Sequence, residues 1–324
     1  MADRRIREKR RMLRWCAAFT GLLTIGLACS AIVGSALEAS PTLLRTTMFF
    51  APAAHTVAGP LVLTLGGPVY CAQTAPLARR LGATLVCPDY GQNGERSAAT
   101  RARRVEDWGD PRYLDAVARL PAQLAEEGVR VSELVLVGAS YAGYAAAELV
   151  ATHPELHPRA LIIVDSFLDL PERFRALGAG QPTRAEMVRV LGGTLAQRPG
   201  LYGRRSPSAH LAGLAADIRH GMRLLDVWSV APAEAHEFNG GMCSMRSNAF
   251  WLHQLAQILR RPVTGYVTEL PHAVALWDWW RQLLALARVA PAKGALPATA
   301  ITFRPKQQIP KGSYCRMGGM LSRR

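Results

Sequence analysis

A serine separates an apolar run from a helix-forming run in "VLVGASYAGYAAAELV", residues 135–150. A nucleophilic serine on a sharp strand-to-helix turn needs very small residues two places before it and two places after it. Gly138 and Ala142 meet that need around Ser140, and the motif's second glycine arrives one place late, at Gly143. The spacing predicts that Ser140 is a nucleophile. The competing interpretation is an ordinary helix cap, in which the serine hydroxyl accepts a hydrogen bond from a helix-end amide.

A nucleophilic serine also needs donors for the negative oxygen of a tetrahedral intermediate. The segment "TLGGPV" follows the first apolar run of the body, and the N–H groups of Gly67 and Tyr141 are the candidates for this oxyanion site. Pro68 has no N–H, so the amide on this segment comes from Gly67 or Val69. The alternative is a glycine turn that only ends a strand.

His272 is the candidate base, because "TELPHAVALWD" places it between the last predicted strand and the last predicted helix. Loops at the carboxyl ends of parallel strands are where active-site groups gather in open α/β sheets. A solvated loop histidine is the alternative. The remaining histidines lack such a position: His55, His153, His157, His210, His220, His236 and His253.

The sequence leaves open which acid orients the histidine. The acid is expected after the strand "MRLLDVWSV", in the loop "APAEAHEFNGG", where Glu234 is the first choice and Glu237 the second. Asp226 falls within the strand itself and is a weaker candidate. Asp165 ends "LIIVDS", whose following loop also opens at the carboxyl edge of the sheet, and it is the alternative acid.

The elements that must position these residues follow a simple alternation. Apolar runs at "PLVLTL", "ATLVCP", "SELVLVG" and "RALIIVDS" are each separated by a helical segment. Runs that are apolar without alternation indicate strands buried on both faces. The predicted fold class is therefore α/β, a mostly parallel sheet flanked by helices, within a domain at residues 55–290.

The second half of the chain interrupts this pattern. Residues 167–220 are rich in Arg, Gly and Pro with weak periodicity, and we expect a short lid there. The sheet resumes at "GMRLLDVWSV", followed by the helix "SNAFWLHQLAQILR", the strand "RPVTGYVTEL" and an apolar last helix. Residues 291–324 are expected to be a loosely ordered or surface-packed basic tail.

The N-terminal residues 1–39 form a separate segment. Seven Arg or Lys residues precede residues 15–37, which carry no charge over 23 positions. That length and flank predict a membrane anchor with a cytoplasmic basic end. The small residues of "GSALEAS" allow a cleaved signal peptide instead. Both readings place the main domain outside the cytoplasm, membrane-anchored or secreted.

The composition and the distribution of charge limit the kinds of ligand and partner that we expect this protein to bind. The net charge is +15, but residues 1–39 and 291–324 contribute +4 and +7 of it, so the body is only mildly basic and no nucleic-acid partner is expected. Four cysteines of the body, Cys71, Cys87, Cys243 and Cys315, are compatible with disulfides or with buried thiols. Neither a dinucleotide fingerprint nor metal-ligand spacing occurs, so no cofactor and no metal are expected.

Residues 61–288 resemble the α/β-hydrolase superfamily. "LGGP" at 65–68 is similar to its His-Gly-Gly-Pro oxyanion segment, and "PDYGQNGERS" at 88–97 is similar to its Asp-x-x-Gly-x-Gly-x-Ser loop. "GASYAG" matches its elbow, and "SPSAHLAGLAADI" looks like the approach to its acid-bearing strand. The chain differs at Leu65 and Ala142, and it lacks a Gly-x-x-Asp after the penultimate strand. The resemblance implies the order serine, acid, histidine.

These residues predict an exported or membrane-anchored serine hydrolase that cleaves an ester through an acyl-enzyme, with a small-molecule or peptide acyl substrate. Serine peptidase activity is the near alternative. A non-catalytic binding protein of the same fold at the membrane is the alternative from another class, and an acyl transferase is a third.

Overall fold

The computed structural model describes residues 47–50, 59–65, 75, 78, 83–88, 108–229, 247–270 and 298–307. All of them belong to one compact unit, Ile32–Arg324. Within these residues no helix combines the length and the apolar character that crossing a bilayer requires. The predicted anchor or signal at residues 15–37 lies outside the described residues.

The strands form one sheet, and the apolar runs of the sequence supply its centre. The strands are β1 (Thr47–Phe50), β2 (Gly59–Thr64), β3 (Thr84–Pro88), β4 (Val131–Ala139), β5 (Ala160–Val164), β6 (Arg223–Ser229), β7 (Val263–Thr268) and β8 (Thr299–Phe303).

The sheet order is β1-β3-β2-β4-β5-β6-β7-β8. The six inner strands pair in parallel, and β1 and β8 pair antiparallel at the two edges. Every residue of β3 and β5 is buried, which is why those runs show no alternation. The predicted α/β class with a mostly parallel sheet flanked by helices is confirmed.

The C-terminal residues 291–324, predicted to be a loosely ordered or surface-packed basic tail, include the edge strand β8, and the tail as a whole stays a prediction. Val263 of β7 pairs with Phe303, whose ring is buried and lies 6.4 Å from the Trp228 ring. The segment "TAITF" carries β-branched and aromatic residues that suit an edge strand. The strand was not predicted because it has only five residues and the sequence around it is basic and contains prolines.

The helices connect the strands. They are α1 (Pro111–Ala118), α2 (Leu120–Glu126), α3 (Tyr141–Thr152), α4 (Leu170–Ala176), α5 (Pro182–Leu191), α6 (Pro199–Arg204), α7 (Leu211–Arg219) and α8 (Asn248–Leu259), with 3-10 turns at Pro154–Leu156 and Pro207–His210.

Helix α3 is the central helix of the site. It packs on β4 and β5 and against α7, and all of its residues from Tyr141 to Ala151 are buried. Five alanines and one glycine make its surface narrow, so it lies close to the sheet. Close packing on the sheet fixes the position of its first turn, where Ser140 stands.

The Arg-, Gly- and Pro-rich segment at residues 167–220 is helical. It holds α4, α5, α6 and α7, and it buries Leu170, Phe174, Met187 and Tyr202. Each helix has only six to ten residues, which is too short for a clear apolar period. Helix α7 leads into β6 and belongs to the crossover between β5 and β6, so it is part of the main domain and not of a lid. A lid remains a prediction for residues 167–210.

Candidate active site

Ser140 occupies the sharp turn that the sequence predicts. Strand β4 ends at Ala139 and helix α3 begins at Tyr141, so one residue makes the whole connection. Ser140 has φ 51° and ψ −123°, a backbone conformation that costs a non-glycine residue free energy. Its side chain makes no capping hydrogen bond to α3, although it stands at the cap position. The helix-cap interpretation therefore has no support from this geometry.

The small neighbours of Ser140 are required by space. A methyl group on Gly138 would overlap the carbonyl of Ala142, and a methyl group on Gly143 would lie 2.8 Å from Cβ of Ser166. Ala142 itself is buried and accommodated. The turn thus needs glycine at 138, while the late glycine at 143 makes room for the strand end beside it.

Aromatic residues hold the first turn of α3. The backbone N–H of Trp108 donates to the Tyr141 hydroxyl at 3.1 Å. The two rings pack edge to face with centroids 5.3 Å apart. The Tyr144 hydroxyl donates to the Arg205 carbonyl at 2.5 Å. The N–H of Tyr141 belongs to the first turn, whose amides have no acceptor within the helix. Its predicted role in an oxyanion site is compatible with that position.

The partner segment "LGGP" starts on the strand next to β4. Thr64 of β2 pairs with Val137 of β4, and Leu65 follows as a fully buried residue. The predicted oxyanion donor Gly67 comes two positions later and lies outside the described residues.

Asp165 stands beside Ser140 on the neighbouring strand. Ala139 pairs with Val164, so Ser140 and Asp165 each follow one member of a parallel pair, and the Ser140 N–H donates to the Val164 carbonyl at 2.9 Å. Asp165 is fully buried and has φ 45°. Its Oδ1 accepts a hydrogen bond from the Ser229 N–H, and its own N–H donates to the Val227 carbonyl at 2.7 Å. Strand β6 therefore fixes the Asp165 carboxyl group.

The ends of β6 and β7 are joined at the same place. The Ser229 hydroxyl donates to the Leu270 carbonyl at 2.7 Å, and the Leu270 N–H donates to the Thr268 hydroxyl at 3.2 Å. His272 follows Leu270 by two residues, and two residues of chain span at most about 7 Å. His272, Glu234 and Glu237 all lie outside the described residues, so their predicted roles remain predictions.

Asp226 lies within the sheet, behind this edge. It is fully buried and pairs in register with Ile163. The Asn248 amide donates to Asp226 Oδ1 at 3.3 Å and to the Ser166 carbonyl at 3.2 Å. Burial raises the pKa of Asp226 to about 8, the Asn248 hydrogen bond opposes that shift, and the neighbouring Asp165 adds to it. Asp226 is therefore a neutral carboxylic acid at pH 7.

Ser229 and Asn248 were not among the predicted site residues. A serine that ends a strand and an asparagine that begins a helix are common, so neither gave a signal in the sequence. In the part of the chain that the structure describes, no group of three His, Cys, Asp or Glu side chains is placed to hold a metal ion. The absence of a cofactor remains a prediction.

The geometry as a whole places a strained, uncapped serine at the N-terminus of a buried helix, next to a fixed carboxyl group at the carboxyl edge of a parallel sheet. Ligands of open α/β sheets bind at this edge. The model of the alpha/beta hydrolase family matches residues 53–307. The chain belongs to the alpha/beta hydrolase family.

Two solved structures with a similar fold come from larger proteins. Puromycin hydrolase is 17% identical with a TM-score of 0.55, over 78% of this chain and 39% of that one. The acylaminoacyl peptidase of Pyrococcus horikoshii is 14% identical with a TM-score of 0.54, over 76% of this chain and 40% of that one. The chain thus spans about two fifths of their length. The comparison with curated protein sequences finds no match.

Proposed function

We propose that the protein is a serine hydrolase that cleaves an acyl substrate through an acyl-enzyme. Ser140 attacks the acyl carbon, His272 takes the serine proton and returns it to the leaving group, and water then hydrolyses the acyl-enzyme. The amides of Gly67 and Tyr141 stabilise the negative oxygen. The observation that carries this proposal is the backbone of Ser140, whose φ of 51° and ψ of −123° come with an uncapped hydroxyl.

We propose Asp165 as the carboxylate that orients His272. It follows the strand next to Ser140, it is fully buried, and it accepts a backbone hydrogen bond from Ser229. Ser229 also binds the Leu270 carbonyl, two residues before His272. These bonds bring the ends of three strands to one place. Glu234, which follows β6 in the sequence, is the competing candidate.

An ester is the substrate class that we propose first, because an ester needs less help with its leaving group than an amide. A peptide or other amide is the second candidate. It is supported by the fold shared with puromycin hydrolase and acylaminoacyl peptidase, each of which contains more than twice this chain's matched length.

A fluorophosphonate probe tests the nucleophile. It reacts with activated serines, so we expect labelling of the wild-type protein and none of Ser140→Ala. Ser132, exposed on β4, provides a matched control, and Ser132→Ala should label like the wild type. Absent labelling of the wild type, or equal labelling of Ser140→Ala, would leave a non-catalytic binding protein of the same fold as the better reading. Hydrolysis of p-nitrophenyl esters against peptide anilides then separates esterase from peptidase.

We propose that the domain works outside the cytoplasm, membrane-anchored or secreted. Cys87 is disulfide-bonded, and disulfides persist in oxidising compartments. The basic and uncharged N-terminal segments support the same location. A fusion of alkaline phosphatase to the C-terminus, which is active only after export, should be active with the full chain and inactive when residues 1–39 are deleted. Activity that survives the deletion would contradict an N-terminal export segment.

A further inference from the structure

A cavity lies away from the strand ends and their candidate active site. It has a volume of about 380 Å³, is open to solvent on one side, and is lined by α1, the second half of α3, α6 and the 3-10 turn Pro207–His210. That volume is within the range of small-molecule sites. Glu148 on its α3 wall is eight residues after Ser140, which is about 12 Å along a helix axis. The cavity is therefore separate from the candidate active site.

One wall of the cavity is apolar and another is cationic. Pro111, Leu114 and Leu201 provide the apolar wall, and Arg204 and Arg205 provide two positive charges. Among the described residues, the Arg204 guanidinium has no hydrogen bond and no ion pair. Arg205 donates to the Trp108 carbonyl at 3.5 Å. A cavity with one apolar wall and one cationic wall suits an amphiphile with a negatively charged head group. An inorganic anion would leave the apolar wall unused, and an amine would be repelled by the arginines.

The acidic residues in and beside the lining offset only part of this charge, because Asp110 interacts with Arg205 but no described side chain pairs with Arg204. Asp115 Oδ1 lies within hydrogen-bonding distance of His153 Nε2, with the two atoms 3.0 Å apart. The Glu148 side chain is only 3% exposed, and burial raises its pKa to about 8 although the nearby Arg205 opposes the shift. Burial thus favours the protonated, uncharged form of Glu148 at neutral pH. The lining consequently carries a net positive charge at neutral pH.

Glu148 also keeps an unused hydrogen-bonding atom. Its Oε2 has no hydrogen-bond partner in the described part of the chain. Its Oε1 lies 3.6 Å from His210 Nε2, but that nitrogen is 2.8 Å from the Arg204 carbonyl, which can only accept. His210 therefore directs its Nε2 proton at the carbonyl and leaves the Glu148 carboxyl group largely uncompensated. An unsatisfied buried carboxyl group is costly in a wall with only a structural role.

We propose that this cavity binds a monocarboxylate with an unbranched apolar chain. The carboxylate lies against Arg204 and Arg205, and the chain lies along Pro111, Leu114 and Leu201. Glu148 controls the pH range of binding, because its negative charge, once formed, opposes the ligand's carboxylate. The titratable and charged groups that face Glu148 in the cavity are Asp115, His153, Arg204, Arg205 and His210.

Isothermal titration of the full chain with sodium octanoate tests the proposal. We expect one-to-one binding at pH 6.5 that weakens at least fivefold at pH 9.5. Octylammonium and inorganic phosphate should not bind at the same concentrations. Arg204→Gln should weaken octanoate binding at least fivefold, whereas Arg198→Gln, an exposed arginine outside the lining, should not. Glu148→Gln should bind octanoate equally at both pH values.

Two results would overturn the proposal. One is octanoate binding that survives unchanged in both Arg204→Gln and Leu201→Trp, which would place the ligand elsewhere, including at Ser140. The other is equal binding of octanoate and octylammonium, which would show that only the apolar wall matters. Because no step of this test uses hydrolysis, its outcome is independent of whether Ser140 is a nucleophile.

Discussion

Five of the described non-glycine residues have a positive φ, and apart from Trp108 they form two pairs that differ in the contacts that hold them. His157 and Arg260 follow a 3-10 turn and helix α8, with ψ of 54° and 26°, inside the left-handed helical region. Such residues commonly end helices. Ser140 has a ψ of −123°, far from that region, and Asp165 is fully buried. The first pair only ends helices, whereas the second pair is held at the sheet edge against a conformational cost.

The contacts around Ser140 and Asp165 explain how that cost is tolerated. The N–H groups of both residues donate to carbonyls of the neighbouring strand, and the Asp165 carboxyl group accepts from Ser229. Helix α3 is buried along its length behind Ser140. Backbone strain that surrounding packing maintains is concentrated at functional sites. Residues that only end helices therefore differ in their contacts from the two residues of the candidate site at the sheet edge.

The largest expected effect comes from the carboxyl group of the strained pair. Asp165→Asn keeps an oxygen for the Ser229 N–H but removes the charge that, in the proposed mechanism, holds the His272 tautomer, so we expect kcat to fall by about 10⁴-fold. Glu234→Gln should change kcat by less than about tenfold. Initial rates with a p-nitrophenyl ester measure both, and thermal melts check that each variant is folded. If Glu234→Gln causes the larger loss, Glu234 is the orienting acid.

The next effect concerns the space at the turn. In Gly138→Ala the added methyl group meets the Ala142 backbone, which cannot move without displacing α3, so we expect a loss of about 3 kcal/mol in the free energy of unfolding. Gly203 lies in α6 with open space around it. Gly203→Ala should instead stabilise the protein by about 0.5–1 kcal/mol. Urea unfolding compares the two, and an equal response would remove the steric requirement at 138.

The sequence predicted the parts of the molecule that depend on local composition. The inner strands are buried on both faces, so their apolar runs were clear. The glycine at 138 is imposed by contacts with residues 142 and 143, only four and five positions away, whereas the glycine at 143 also makes room for Ser166 on the neighbouring strand end. The edge strands β1 and β8 were missed because each is short and is stabilised by pairing with a distant strand.

The choice of acid could not be made from the sequence for a related reason. Asp165 is 64 residues from Ser229, whose N–H fixes its carboxyl group, and Asp226 is 22 residues from Asn248. The spacing of residues in the sequence does not indicate which distant residues will form such hydrogen bonds. Position after a strand made Glu234 the first choice, whereas the hydrogen bonds that would favour Asp165 exist only in the folded chain.

Asp226 is connected to the residue after Asp165 through Asn248. The Asn248 side-chain amide donates hydrogen bonds to both Asp226 and the Ser166 carbonyl. The Asp226 pKa of about 8 in the folded state is above the ordinary value of 3.8. Between those values the folded chain keeps a proton that the unfolded chain has lost, so stability falls as the pH rises. Asp226→Asn should reduce that fall by up to about 1.4 kcal/mol per pH unit.

Denaturant unfolding of Asp226→Asn at pH 5, 6.5 and 8 measures this dependence. Glu127→Gln, on an exposed turn, is the control and should follow the wild type. Glu148 also has a raised pKa, so part of the slope should remain in Asp226→Asn. An unchanged slope would mean that Asp226 is ionised in the folded protein.

The smallest predicted effect tests directly whether the Ser140 backbone is more strained than that of a residue that only ends a helix. Glycine adopts positive φ without a side-chain penalty, so Ser140→Gly should raise the free energy of unfolding by about 1–2 kcal/mol while abolishing activity. Arg260→Gly should raise it by no more than about 1 kcal/mol, because its left-handed conformation is already in a populated region. Paired urea titrations resolve this difference. A gain at Arg260 equal to that at Ser140 would mean that the turn stores no more strain than an ordinary helix end, and the geometric argument for Ser140 would then rest on its uncapped hydroxyl alone.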